Sequence, residues 1–216
     1  MKILNLYACL GGNRYKWNEV KEDIEVTAVE LDEQLAGLYQ ERFSNDKVII
    51  ADAHKYLLDH YTEFDFIWSS PPCPTHSRMR KTNTGVGERK SKATYPNMNL
   101  YEEILLLEHF FKGKYCVENV IPYYEPLISA KKRGRHLYWT NFNLPNKIGR
   151  KSVDNFSKTD IESLSNYHNY DFTKYKGKQR TDKIARNLVD YQAGRIIFET
   201  MLGIVKEDTE QITLKL

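Results

Sequence analysis

Five short apolar runs punctuate this 216-residue chain, and beside the carboxyl end of each lies a glycine pair, a carboxylate or a cysteine. The runs are Lys2 to Ala8 before Gly11 and Gly12, Ile24 to Glu30, Val48 to Asp52, Phe64 to Trp68 before Cys73, and Tyr115 to Val120 around Glu118. Helical spacing fills the gaps, through Leu35, Leu38, Tyr39 and Phe43 after the second run and from Leu100 to Phe111 before the fifth. Strands alternating with helices predict an α/β fold with a doubly wound, mostly parallel, Rossmann-like sheet. In such sheets ligands bind outside the carboxyl ends of the strands, where the polar residues of this chain collect. A single acid ending a strand is commonly a solvated cap; the regular placement of Gly11, Glu30, Asp52, Cys73 and Glu118 carries the expectation of a site.

The fourth run leads into Ser69-Ser70-Pro71-Pro72-Cys73-Pro74-Thr75-His76-Ser77. Each proline locks φ and donates no N–H, so the backbone before Cys73 has few conformations and the sulfur is presented from a loop. Free cysteines are more often small buried hydrophobes, but a nucleophile needs this kind of presentation. With only three cysteines, Cys9, Cys73 and Cys116, widely spaced, there is neither a disulfide framework nor a metal-ligand pairing. A reducing, cytoplasmic setting, no metal and no membrane are expected. The run Met1 to Tyr7 is too short for a signal peptide, and no stretch approaches the roughly 18 apolar residues of a membrane span.

The net charge of +3 is modest, and its distribution says more. Arg78, Arg80, Lys81, Arg89, Lys90 and Lys92 face one acid, Glu88, in a glycine-broken segment directly after Cys73. A second segment, Lys147 to Arg186, interleaves lysines and arginines with Tyr167, Tyr170, Phe172 and Tyr175. Basic groups among aromatics suit a nucleic-acid surface, although a solvated face has the same composition. The stretch from about Pro145 to Lys178 is poor in apolar residues and lacks a period, which predicts a small inserted lobe. His136 to Phe142 reads as a later strand and Asp182 to Leu202 as one closing amphipathic helix. The expected organisation is a catalytic core over 1–145, a recognition lobe over 146–180, and a C-terminal helix within 181–216 that completes the core.

Taken in order, Leu6-Tyr7-Ala8-Cys9-Leu10-Gly11-Gly12, Glu30-Leu31-Asp32, Asp52, Ser70-Pro71-Pro72-Cys73-Pro74-Thr75-His76-Ser77, Glu118-Asn119-Val120, Arg133-Gly134-Arg135 and Arg186-Asn187-Leu188-Val189 resemble the motifs of the DNA cytosine-5 methyltransferases, in a compact, phage- or bacterial-type form. The Pro-Cys loop and the Glu-Asn-Val strand end are the most specific of these. The resemblance implies a methyltransferase sheet that binds S-adenosylmethionine through Tyr7, Ala8, Leu10, Gly11, Gly12, Glu30, Leu31, Asp52, Ala53 and Pro71, with Asn187 and Val189 folding back to complete the pocket. It implies Cys73, Glu118, Arg135 and Arg133 as catalytic residues. Three positions depart from the family pattern: Cys9 and Arg186 replace glycines, and Lys131 replaces the glutamine ahead of the arginines. About 50 residues separate Arg135 from Arg186, where the family usually carries a larger recognition domain.

The chemistry accounts for these residue types. C5 of cytosine is a weak nucleophile until a thiolate adds at C6, which makes C5 an enamine carbon. A carboxyl group at N3 shares a proton as charge builds there, and fixed positive charge steadies the O2 side and the thiolate. A stacked base cannot meet the thiol and must be flipped out. Ser77, Arg78, Arg80, Lys81, Arg89 and Lys90 are expected to close over double-stranded DNA, and Lys174, Lys176 and Lys178 to contact its phosphates. A monomer is expected, with a cognate restriction nuclease as a candidate partner. Two alternatives stand beside this reading: the same chemistry on tRNA, and a catalytically weak DNA-binding module that regulates instead of modifying.

Overall fold

The computed structural model describes residues 1–78, 94–150 and 159–204. Within them, seven strands form one sheet in the order β3-β2-β1-β4-β5-β7-β6. The strands are β1 (Lys2–Leu6), β2 (Glu25–Glu30), β3 (Lys47–Ile50), β4 (Phe66–Ser69), β5 (Lys114–Val120), β6 (Lys131–Arg133) and β7 (His136–Thr140). The first five are mutually parallel, and β7 lies antiparallel between β5 and β6. Seven helices accompany them: α1 (Trp17–Val20), α2 (Glu33–Arg42), α3 (Ala53–His60), α4 (Asn99–His109), α5 (Ile161–His168), α6 (Thr181–Asn187) and α7 (Tyr191–Met201). This is the Rossmann-like methyltransferase sheet that the sequence implied. The strand order reverses between β1 and β4, so the crevice for a ligand opens beyond their carboxyl ends.

Both faces of the sheet are covered, which is why its strands read as nearly continuous apolar runs. Alternate residues sort to opposite layers. Leu4, Ile67, Val117 and Trp139 pack against Leu57 of α3 and Ile104 and Leu107 of α4. Their neighbours Ile3, Phe66, Trp68, Cys116 and Tyr138 pack against Trp17 of α1 and Ile197 and Phe198 of α7. Trp17 lies stacked on Phe198 at 5.3 Å and donates its indole N–H to Gly194 O. Aspartates start the helices that leave the sheet: Asp32 accepts from Gln34 N and Leu35 N, and Asp52 from Lys55 N. No helix among the described residues is long and apolar enough to cross a membrane.

The structure corrects the expectation of one closing helix. Leu188 to Asp190 is extended, and Asp190 caps α7 by accepting from Gln192 N while binding the Arg150 guanidinium. Apolar periodicity continues across the break, because a capping aspartate in the middle of a periodic run leaves the period intact. The inserted segment contains α5 and a short 3-10 turn, Phe172–Lys174, with no strand among its described residues. Its Leu164, Phe172 and Tyr175 share one cluster with Leu10, Leu35, Leu38, Ile184 and Leu188. The lobe therefore seats on the β1 exit turn and α2.

Candidate active site

The chain leaves β1 through an unusual turn. Tyr7 and Cys9 take left-handed backbone with φ 54 and 48, and Gly11 follows at φ 66. A left-handed non-glycine residue costs roughly 1–2 kcal/mol, so the surroundings must hold this turn. Glu30 at the end of β2 does part of that, accepting from Cys9 N at 2.8 Å and Asp32 N at 2.9 Å. Burial pushes the Glu30 carboxyl up, and the backbone N–H groups of Asp32, Cys9 and Leu31 oppose the rise. One residue on, Leu31 is 67% exposed; Ile50, the partner of Glu30 in the β2–β3 register, is 56% exposed.

The two glycines serve the protein's own packing more than a ligand's approach. A Cβ on Gly11 would run into the Phe43 and Tyr39 rings, and one on Gly12 into the Val189 carbonyl and the Leu188 side chain. In the Cβ directions, then, Gly11 is approached by the α2 rings and Gly12 by the α6–α7 break. Ala8, Leu10, Ala53 and Pro71 are buried, and Pro71 O accepts from Asn119 Nδ2. Asn187 is exposed at the end of α6 and Val189 lies half-buried beside Gly12.

Cys73 is half-buried at the start of a tight turn whose carbonyl accepts from His76 N and Ser77 N. That turn is clamped from three sides. Asn97 N donates to Thr75 Oγ1, Tyr123 N to His76 O, and His76 Nδ1 lies 2.5 Å from the Tyr124 hydroxyl. Burial pushes the Cys73 thiol up, and the nearby Glu118 charge pushes it further, against a backbone hydrogen bond and Lys183 of α6. Glu118 on β5 is 7% exposed, with His136 Nε2 3.5 Å from its Oε1. Next along the strand, Asn119 holds the loop by its bond to Pro71 O. The structure thus brings together the sulfur, the strand-end carboxylate and the loop that the sequence singled out.

Two arginines were expected beside the thiol. The Arg133 guanidinium is instead spent on the carbonyls of Pro145, Leu144 and Lys132, while Arg135 stands exposed at the β6–β7 turn, within electrostatic reach of Tyr167. Lys131 likewise donates to Thr140 O, Thr140 Oγ1 and Phe142 O along the sheet edge. Among the described residues, Lys183 is the cation that opposes the rise at the sulfur; it belongs to the basic segment Lys147 to Arg186, whereas His136 carried no signal as a site residue and nears Glu118 through the β5–β7 pairing. Of the expected nucleic-acid residues, Ser77 bridges to Pro122 and Arg78 Nε donates to Pro122 O. Lys174, Lys176 and Lys178 are exposed along one strip. Arg80, Lys81, Arg89, Lys90 and Lys92 lie outside the described residues.

Residues 1–108 match the family model described as C-5 cytosine-specific DNA methylase. This chain belongs to that family. The chain is also similar to a substituted DNMT2 from Spodoptera frugiperda, at 24% identity and TM-score 0.37 over 55% of this chain and 35% of that one. A putative DNA modification methyltransferase from an Escherichia coli prophage matches at 16% identity and TM-score 0.37, covering 58% and 33% of the two chains. A hypothetical protein from Thermus thermophilus matches at 17% identity and TM-score 0.43, covering 64% and 73%. The chain thus spans about a third of the length of the DNMT2 chain it matches, and no curated protein matches it.

S-adenosylmethionine is the cofactor of this family, and the residues present suit it. Glu30, held by two backbone N–H groups, has the chemistry of an acceptor for ribose hydroxyls. Leu31 and Ile50 leave apolar surface exposed beside it for a purine.

Proposed function

We propose that this methylase transfers a methyl group to C5 of cytosine in DNA, with Cys73 as nucleophile and Glu118 as the acid at N3. The observation that carries the reading is the pairing of a proline-presented thiol with a buried strand-end carboxylate near enough to raise its pKa, beside a fitting cofactor crevice. The bound cofactor supplies an electrophilic methyl group on a sulfonium. The residues of the chain do the rest. Burial and the Glu118 charge favour the Cys73 thiol, and the Lys183 charge opposes them. As the sulfur forms its bond to C6, the thiol proton passes to the Glu118 carboxylate, the C5–C6 pair moves to C4–C5 and the C4–N3 pair to N3, and Glu118 hands that proton to N3. After methylation water takes the C5 proton, the C5–C6 double bond re-forms as the C–S bond breaks, and the N3 proton returns through Glu118 to Cys73.

The target base must leave the stack to reach a sulfur in this loop. Lys174, Lys176 and Lys178 are suited to phosphates, and few side chains of so small a lobe can reach base edges, so a short or degenerate site is expected. Incubation with methyl-labelled S-adenosylmethionine and separate pools of DNA and tRNA tests the substrate. Label in DNA, mapped to cytosine by bisulfite sequencing, supports the reading; label in tRNA alone, or in neither, overturns it.

A further inference from the structure

The proposed chemistry leaves one buried carboxylate unused. Glu103 of α4 is fully buried, and its neighbours come from three different exits of the sheet. Its Oε1 accepts from the Tyr7 hydroxyl at 2.6 Å and lies 3.1 Å from His54 Nδ1; its Oε2 accepts from the Ser69 hydroxyl at 2.6 Å. His54 Nε2 sits 3.2 Å from Glu102 Oε2, so the imidazole is held between two carboxylates. Tyr7 belongs to the left-handed turn after β1, His54 follows Asp52 and Ala53 in the first turn of α3, and Ser69 ends β4 four residues before Cys73.

We propose that Glu103 is a positioning residue that fixes, through one carboxylate, the cofactor-binding turn and the root of the nucleophile loop. A buried carboxylate is costly unless its lone pairs are filled. Here three donors fill them, and each donor belongs to a backbone segment that borders the cofactor crevice or the Cys73 loop. Tyr7 is the sharpest case: its strained backbone keeps the turn in place while Cys9 N reaches Glu30, and its hydroxyl is tied at the opposite end to Glu103. A carboxylate offers two accepting oxygens to these three groups, whereas an amide offers one. Loss of the carboxylate frees Tyr7 to relax, and the Glu30 acceptor loses its alignment with the turn.

The inference rests on the cofactor reading of the β1 crevice, and the experiment separates the two. Calorimetry measures the dissociation constant of S-adenosylhomocysteine for the wild type, Glu103→Gln, Tyr7→Phe and the double variant, alongside their melting temperatures. Each single substitution is expected to weaken binding about tenfold, and the double variant to be no weaker than either, because one contact couples the pair. If Glu103→Gln does not fold, Tyr7→Phe alone carries the measurement, since it removes only a hydroxyl. Variants that melt earlier yet bind within twofold of the wild type would show a merely structural role and overturn the inference, as would single effects that multiply in the double variant. A wild type that binds no S-adenosylhomocysteine would remove the cofactor reading and this inference with it.

Discussion

Acid should loosen this protein through one histidine. His168, at the end of α5, is 1% exposed, with the Tyr167 ring edge-on at 4.9 Å and Phe172 at 5.8 Å. Burial and the Arg150 and Arg42 charges push its imidazole down to about 4, with Asp190 and the Ala185 backbone partly offsetting them. In the unfolded chain the same group titrates near 6.5. Between those values the unfolded chain binds a proton that the folded chain refuses, so stability falls as pH drops through 6.5 and stops falling, for this group, below about 4. The whole interval is worth about 3 kcal/mol, of which about 2 kcal/mol is lost by pH 5. Urea unfolding of the wild type and His168→Leu at pH 7 and pH 5 checks this, since leucine matches the volume and cannot titrate. The wild type should lose about 2 kcal/mol more than the variant between the two pH values. Equal losses would refute the placement of a neutral imidazole between those arginines.

Four further outcomes are expected. Cys73→Ser should abolish methyl transfer while leaving S-adenosylhomocysteine affinity near wild type, and activity within tenfold of wild type would remove Cys73 from the mechanism. Glu118→Gln should slow methylation by about 10²- to 10⁴-fold yet speed iodoacetamide alkylation of Cys73, because the charge that raises the thiol's pKa is gone; a parallel fall in both would place Glu118 in a structural role. Gly194→Ala should cost about 1–3 kcal/mol in urea unfolding, as its methyl would fall on the Asn13 backbone; an unchanged midpoint would show that α7 can shift freely. Reversing charge at Lys174, Lys176 and Lys178 should weaken DNA binding alike for all sequences and flatten its salt dependence, and loss of specificity at constant affinity would mean that the lobe reads bases.

Much of this fold was legible because two periods are local properties of the chain. Continuous apolar runs gave β1, β4 and β5, whose faces are both covered, and the residues beside their carboxyl ends marked the edge where the crevice opens. The Pro-Cys loop and the Glu-Asn-Val strand end were legible for a similar reason, since restricted φ and register carry their geometry within a few residues. The break at Leu188 to Asp190 was hidden, because the aspartate cap interrupts a helix without interrupting its apolar spacing.

The α/β alternation, the loop that presents Cys73 and the strand that carries Glu118 are written in local residue pattern. Tertiary structure alone decided which charges act on them. Arg133 has the composition of a catalytic cation and is consumed by carbonyls of its own sheet edge, whereas Lys183, distant in sequence, acts on the sulfur. The glycines of the β1 turn are required by Phe43, Leu188 and Val189, and Glu103 gathers donors from three strand and helix ends. The physical reason is range: backbone conformation is set by adjacent residues, while burial, pairing and electrostatic reach depend on atoms brought together only when the sheet and its helices have packed.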